Sequence, residues 1–393
     1  MKPTRALVIL GTRPEAVKLF PVIGELSKDS RLETVVVVTG QHQEMVDQIL
    51  GPFGIVPRAN LGIMEPNQTL NGIASRVLPR LDALYTDVDP AVVVVQGDTT
   101  SAFCAGLAAF HRGIHVAHVE AGLRSYNRAH PFPEESNRRM ISAVADLHLA
   151  PTSRSAENLL REGVARSEIV VTGNTAVDSL LAVLRDPRLE PARGDAPFTA
   201  VGDGRLVLIT VHRRESWASR DGAEGELPIH EIFHALAESA AKHPEVDYVY
   251  PVHRNPRVRE PAARILGRRR NVHILDPLPY VPFVGLMARA SVILTDSGGI
   301  QEEAPSLGVP VLVVRETTER PEGVECGTNR LVGTKSTGIV EALRQALAQP
   351  RAASGDLPLP SPFGDGKAAW RTRQAILHLL GLEERPQEFE GIR

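Results

Sequence analysis

Short runs of valine, isoleucine and leucine recur along the chain, each followed by a segment whose apolar positions fall at helical spacing. In the first half, residues 6–10, 34–38, 91–95, 115–119, 147–150 and 169–171 read as six buried strands. The unbroken run Val92-Val93-Val94-Val95 suits a strand covered on both faces, as in a parallel sheet. Helical patterns at 14–27, 100–110, 133–144 and 153–162 lie between these runs. Alternation of this kind predicts a doubly wound α/β sheet.

Residues 185–205 break the rhythm with proline, glycine and charge, and read as a linker. The alternation restarts with strands at 206–211, 247–250, 272–275, 292–295 and 309–313. Two Rossmann-like domains are therefore expected, at 1–184 and 206–365. A last helical pattern at 366–380, within a C-terminal segment 366–393, is expected to pack back on the first domain. Residues 218–228 read as an insert, and 349–363 as a Pro-rich connection.

Composition changes this picture little. At 393 residues the chain exceeds one usual hydrophobic core, and its 42% hydrophobic and 23% charged content is ordinary. A formal net charge of -3 argues against nucleic-acid or membrane-surface binding, so any anionic ligand must meet a local cluster of donors. The two cysteines, Cys104 and Cys326, form neither a metal-ligand spacing nor a disulfide framework. With no signal-peptide pattern and no apolar run long enough to span a bilayer, a cytoplasmic location is expected.

Ligands of open parallel sheets bind beyond the carboxyl ends of the strands, and the informative residues follow strands here. After the first comes Gly11-Thr12-Arg13-Pro14-Glu15, where free amides at a helix start would attract an anion, Arg13 would add a bidentate contact, and Lys18 lies one turn on. After the third and fourth come Gln96-Gly97-Asp98-Thr99-Thr100 and Glu120-Ala121-Gly122-Leu123-Arg124, and Pro131-Phe132-Pro133-Glu134-Glu135 opens a helix. Asp98, Glu120 and Glu134 thus gather at one sheet edge, where neighbouring carboxylates can divide acid and base roles. Taken singly, Glu134 or Glu135 reads more readily as a helix-start residue opposing the dipole, and Asp98 reads equally as a cap acting through Thr100.

In the second half, His212-Arg213-Arg214-Glu215 ends a strand and suits an anion pocket, its arginines disfavouring an imidazolium. His253, in a second strand-end turn, reads as readily as packing. The most informative turn is Asp296-Ser297-Gly298-Gly299, leading to Glu302 and Glu303: a strand ends, bare amides come forward, and a helix begins. That geometry favours a diphosphate, with Glu303 in reach of ribose hydroxyls. The run from Arg315 to Glu322 adds donors.

Together with the runs His118–Arg124, Pro131–Arg138 and Thr317–Glu322, these motifs resemble the non-hydrolysing UDP-N-acetylglucosamine 2-epimerases over nearly the whole chain. The resemblance implies a glycosyltransferase-B-like fold, two Rossmann-like domains facing across a cleft that holds the active site. It also implies a homodimer that needs no metal or nicotinamide cofactor. The activity implied is interconversion of UDP-N-acetylglucosamine and UDP-N-acetylmannosamine, a precursor of surface polysaccharides. Its chemistry eliminates UDP to bound 2-acetamidoglucal and adds UDP back.

Carried over motif by motif, Asp98, Glu120 and Glu134 become acid/base candidates, and His212 contacts the diphosphate. Arg13, Ser297, Gly298 and Gly299 hold phosphates, Glu303 the ribose and Phe283 the uracil region, while Arg320 completes the pocket and Lys18 supports it. Leu278 stands where several relatives carry a glutamine before that phenylalanine. Gln41, His42 and Gln68 match a region where some members bind a second UDP-N-acetylglucosamine as activator, although Glu44 and Asn67 replace other polar groups there. A glycosyltransferase of the same fold, a hydrolysing 2-epimerase, an epimerase for a 2,3-diacetamido uronic acid sugar and a non-catalytic nucleotide-sugar sensor share parts of this pattern.

Overall fold

The computed structural model describes residues 3–41, 43–65, 68–189, 201, 204–217, 227–349 and 357–392. By contacts the chain separates into two compact units, Met1–Ala182 with Phe363–Gly391, and Val183–Pro362 with Ile392–Arg393.

The first unit is built on strands β1 (Thr4–Leu10), β2 (Leu32–Val38), β3 (Ala59–Asn60), β4 (Val92–Gln96), β5 (His115–Val119), β6 (Leu147–Ala150) and β7 (Ile169–Val171). They pair in parallel in the order β3-β2-β1-β4-β5-β6-β7. Parallel pairing demands a crossover at each step, and helices such as Arg13–Ser27, Leu70–Val88 and Thr100–His111 supply them. Alternate residues of one face, Leu7 and Ile9, Val35 and Val37, Val93 and Val95, share a core with Val77, Leu81, Ala105 and Ala109 from those helices. The opposite face is as dry, since Ala6, Val8, Val92 and Val94 are fully buried. Two-sided burial explains why these strands read as continuous apolar runs.

The second unit repeats the plan with β8 (Arg205–Thr210), β9 (Val246–Pro251), β10 (Val272–Leu275), β11 (Val292–Thr295), β12 (Val311–Val313) and β13 (Asn329–Leu331). Their order is β10-β9-β8-β11-β12-β13, again all parallel. Its core joins Val207, Ile209, Tyr248, Tyr250 and Leu294 to Phe233, Leu236, Ala262 and Leu343. The fold class is therefore two Rossmann-like α/β units.

Two edge strands, β3 and β13, lie outside the expected set. Each has two or three residues and includes an asparagine, so neither leaves an apolar run to read. The C-terminal helix runs Ala368–Leu379, starting later than the expected 366 because Gly366 has φ +76°. It packs on helix Arg13–Ser27 in the first unit. Asp178 accepts from its first amides, Ala368 N at 3.2 Å and Ala369 N at 2.9 Å. Burial pushes the Asp178 carboxyl up to about 7 although those two amides pull it down. Downstream, Phe389 N donates to Val171 O at 2.8 Å, and the ring joins the cluster of Ala150, Leu159 and Val171. Most of the expected linker, the insert up to 226, and residues 350–356 of the Pro-rich connection lie outside the described residues. No helix among the described residues is long and apolar enough to cross a membrane.

Candidate active site

Each sheet has one point where its strand order reverses, between β1 and β4 and between β8 and β11. Loops leaving such a pair diverge and open a crevice beyond the strand ends. The motifs at 11–15 and 96–100 leave β1 and β4, and those at 212–215 and 296–299 leave β8 and β11.

In the first unit the turn after β1 differs from the expectation of free amides. Glu15, 2% exposed, accepts from Gly11 N at 2.8 Å, Thr12 N at 2.7 Å and the Thr12 hydroxyl at 2.9 Å. The helix start thus supplies its own anion, and those two amides are not a ligand cradle. The other Glu15 oxygen accepts from Thr99 Oγ1 at 2.7 Å, tying the β1 turn to the β4 turn. Burial raises the Glu15 pKa against these hydrogen bonds. Arg13 and Lys18 both lie on the helix that begins here, Arg13–Ser27.

Asp98 is not a helix cap, the alternative to its acid/base reading. Thr99 is the cap, accepting from Ala102 N at 3.0 Å, while Asp98 pairs with Arg138, whose Nε and Nη2 both approach its Oδ2 to 2.8 Å. Asn137 Nδ2 holds the Asp98 carbonyl at 2.8 Å, so the helix Glu134–Ser142 is anchored to the β4 turn. Glu134 and Glu135 share the first turn of that helix but differ in surroundings. Glu135 is fully buried and accepts from Ser125 N at 2.8 Å and Tyr126 N at 3.1 Å, which makes it a loop anchor. Glu134 is only half-buried.

Glu120 follows β5 with φ +65°, a backbone region costly for a residue with a Cβ. Its carboxylate oxygens contact Lys18 Nζ and Gln96 Nε2. The neighbouring Gly122, at φ +86°, lies where a Cβ would stand 2.2 Å from Ser155 O, so only glycine fits. His118 on β5 is fully buried, its Nε2 2.8 Å from Gly97 O, and burial lowers its pKa to about 3, so it is a neutral strut. Gln41 accepts from Ser101 Oγ at 3.2 Å, and Gln68 accepts from Arg76 Nη2 at 2.6 Å. His42 lies outside the described residues.

In the second unit, Asp296 does not face a ligand as the turn Asp296–Gly299 led one to expect. It is fully buried, and its Oδ2 accepts from His212 N at 2.9 Å and Arg213 N at 2.8 Å. Ser297 then starts the helix Gly298–Glu303, its N–H bonded to Thr295 Oγ1 at 2.9 Å. Gly298 makes room for Arg320: a Cβ would stand 2.5 Å from the guanidinium carbon. Arg320, 8% exposed, is held by Glu302 at 2.8 Å and approaches Glu319 at 3.4 Å. Glu319 also pairs with Arg315 at 2.8 Å and Arg213 at 3.6 Å. Burial alone would raise the Glu319 pKa, but the Arg315 hydrogen bond and the charges of Arg320, Arg315 and Arg213 carry it well below the usual carboxylate range. Three guanidiniums thus surround Glu319, and Glu302 supplies a second carboxylate to one of them.

His212 is 45% exposed, and its ring stacks on His253 at 6.1 Å. Desolvation lowers its pKa, Asp296 opposes that, and His253 and Arg213 add to it. Tyr280 Oη donates to Glu303 Oε2 at 3.3 Å, and Phe283 sits in the first turn of the helix Tyr280–Arg289. Leu278 and Pro279 immediately precede that helix. As anchors, Glu15, Arg138, Glu302 and Glu319 were not singled out from sequence, and Glu135 was read there only as a helix-start residue. Only Glu15 carried a local signal, the Thr-x-x-Glu spacing of Thr12 and Glu15.

A family profile described as UDP-N-acetylglucosamine 2-epimerase matches residues 24–377. The chain is 45% identical over 392 residues to a UDP-N-acetylglucosamine 2-epimerase of Bacillus subtilis (strain 168), covering 100% of each. It is 48% identical over 378 residues to one of Escherichia coli (strain K12), covering 95% of this chain and 98% of that one. Among solved structures, a UDP-GlcNAc 2-epimerase from Neisseria meningitidis bound to UDP-GlcNAc is similar with a TM-score of 0.85 and 42% identity, covering 96% of this chain and 99% of that one. With the profile spanning most of its length and such identity across nearly all of it, the chain belongs to the UDP-N-acetylglucosamine 2-epimerase family.

Proposed function

We propose that this chain interconverts UDP-N-acetylglucosamine and UDP-N-acetylmannosamine without hydrolysis, as a cytoplasmic homodimer supplying surface-polysaccharide precursors. The reading rests on one observation above all. Identity to named 2-epimerases runs the length of the chain, and its motifs flank the strand-order reversals of both sheets. A nucleotide-sugar sensor would need only the arginine and glycine groups, and would not require Asp98, Glu120 and Glu134 to follow the strands of the first unit.

The chemistry follows from the substrate. A proton on C2 of the sugar is poorly acidic, so the C1–O bond must break as the proton leaves. The C1–O electron pair goes to the β-phosphate oxygen of UDP, and the C2–H pair forms the C1=C2 bond of 2-acetamidoglucal. Re-addition delivers a proton to the other face of C2 while the UDP oxygen closes on C1. Two faces of C2 need two groups, and Asp98, Glu120 and Glu134 are the candidates. Glu120 is the leading base, because Lys18 pairs with it as a carboxylate and Gln96 fixes its second oxygen.

The leaving diphosphate gathers charge and needs preorganised donors. His212, Arg13, Arg320, the Ser297 hydroxyl and the amides of Gly298 and Gly299 are the candidates; the Ser297 N–H is already taken by Thr295 Oγ1, and Arg320 is locked by Glu302. Glu303, oriented by Tyr280, would take the ribose hydroxyls, and Phe283 the uracil side. Gln41, His42 and Gln68 remain candidates for a second nucleotide-sugar site.

Ion-exchange separation of nucleotides and sugars after incubation with UDP-N-acetylglucosamine tests the reading. The manno epimer should appear as a UDP-sugar with no matching release of UDP. Free N-acetylmannosamine with equimolar UDP would make the enzyme a hydrolase, and unchanged substrate would turn attention to another sugar. Light scattering of the same sample should give twice the chain mass.

A further inference from the structure

Asp296 carries an oxygen that the fold leaves unused. Its Oδ2 takes the amides of His212 and Arg213 and the Ser216 hydroxyl at 3.3 Å. Its Oδ1 is buried, makes no hydrogen bond among the described residues, and lies 3.5 Å from His212 Nδ1. Leaving a buried carboxylate oxygen without a donor is costly, so its retention points to a use in the site. Hydrogen bonds of this kind are often long in the empty site and tighten when ligand arrives.

We propose that Asp296 is the positioning residue of His212. Its Oδ2 fixes the backbone from which the imidazole springs, and its Oδ1 claims the Nδ1 proton, leaving Nε2 to face the departing diphosphate. The catalytic consequence rests on the epimerase reading above. As the C1–O bond breaks, the His212 imidazolium gives its Nε2 proton to the β-phosphate oxygen and becomes the neutral ring with its proton on Nδ1. Re-addition returns that proton to Nε2. An imidazolium beside Asp296 is favoured by opposite charge, whereas burial, His253 from the β9 turn and neighbouring Arg213 disfavour it. Among the described residues the Tyr250 hydroxyl, donating to Val211 O at 2.5 Å, also feels Asp296, and burial with that charge keeps it protonated. Trp217 Nε1 holds the His212 carbonyl at 3.0 Å, so the ring turns about a fixed backbone. Burial, His253 and Arg213 outweigh Asp296 and lower the His212 pKa, so an imidazolium formed here gives up its proton readily.

Nitrogen-15 histidine NMR of the full-length protein, with His212 assigned by the signal lost in His212→Asn, reads the tautomer without substrate. The wild type should carry the neutral-form proton on Nδ1. In Asp296→Asn the amide oxygen can still accept the two backbone N–H groups, but an NH2 now faces Nδ1. The proton should move to Nε2, His212 should titrate lower, and kcat should fall on the order of 10²-fold with KM changed less than about threefold. A wild-type Nε2 tautomer overturns the proposal, and that result needs no variant to fold. So does an Asp296→Asn enzyme with the wild-type tautomer and pH–rate profile. Failure of the wild type to form the manno epimer would instead strike the proposed reaction alone.

Discussion

Adding one methyl group at Gly298 puts the proposed diphosphate seat under direct test. The new Cβ would stand 2.5 Å from Arg320 Cζ and Nη1 and 2.9 Å from Nη2, where normal contacts need about 3.5 Å or more. About 1 Å of movement must come from the guanidinium or from the turn. Moving the guanidinium stretches its 2.8 Å bond to Glu302, which is 1% exposed, and breaking a buried pair costs about 3–5 kcal/mol. Shifting the turn is an overpacking response worth about 1–3 kcal/mol, so the turn yields first. Displacing amides by about 1 Å from a developing charge costs on the order of 10²-fold in rate. Gly298→Ala should therefore lower kcat/KM about 10²-fold and weaken UDP binding in calorimetry, with Tm down by only a few degrees. Gly299→Ala is the internal control, because its Cβ would meet Glu303 Oε1 at an ordinary 3.7 Å, and its loss should stay under about threefold. A Gly298→Ala enzyme within twofold of wild type in kcat/KM and UDP affinity would refute the assignment of this turn.

Further outcomes separate anchors from reacting groups. Glu135→Gln loses an acceptor for a backbone amide and its pairing with Arg138, so thermal unfolding should show a loss of about 1–3 kcal/mol. Glu134→Gln should leave the unfolding profile nearly unchanged yet slow turnover by 10²–10⁴-fold, about the share of a general acid or base; the reverse pattern would exchange their roles. Asp178, raised to about 7 from 3.8, holds a proton in the folded chain that the unfolded chain releases between those values. Its contribution to stability is full below about pH 4 and is lost as pH rises through about 7. The denaturation midpoint of the wild type should fall from pH 5 to pH 7 more than that of Asp178→Asn, and equal falls would contradict the raised carboxyl.

Much of this fold is legible because two-sided burial writes β1, β4, β8 and β11 as continuous apolar runs, and their ends mark where ligand loops must lie. The short edge strands β3 and β13 carry too few side chains to pattern, and only pairing with β2 and β12 defines them. Within the site, the chain shows which carboxylates follow strands but not which are spent on structure. Glu134 and Glu135 are adjacent and identical in type, and only the amides of Ser125 and Tyr126, brought round by the loop, mark Glu135 as an anchor. Asp98 meets Arg138 across 40 positions, a partner that no local spacing announces. Asp296 misleads for the same reason: a carboxylate opening a glycine turn looks ligand-facing until the β8 turn is folded against it.

The central claim is that C2 loses its proton while UDP stays bound. Proton NMR of the purified protein with UDP-N-acetylglucosamine in heavy water reads this directly. The account predicts the manno epimer with deuterium at C2 in step with its formation, and no accumulation of free UDP. Epimer that retains the C2 proton would contradict it.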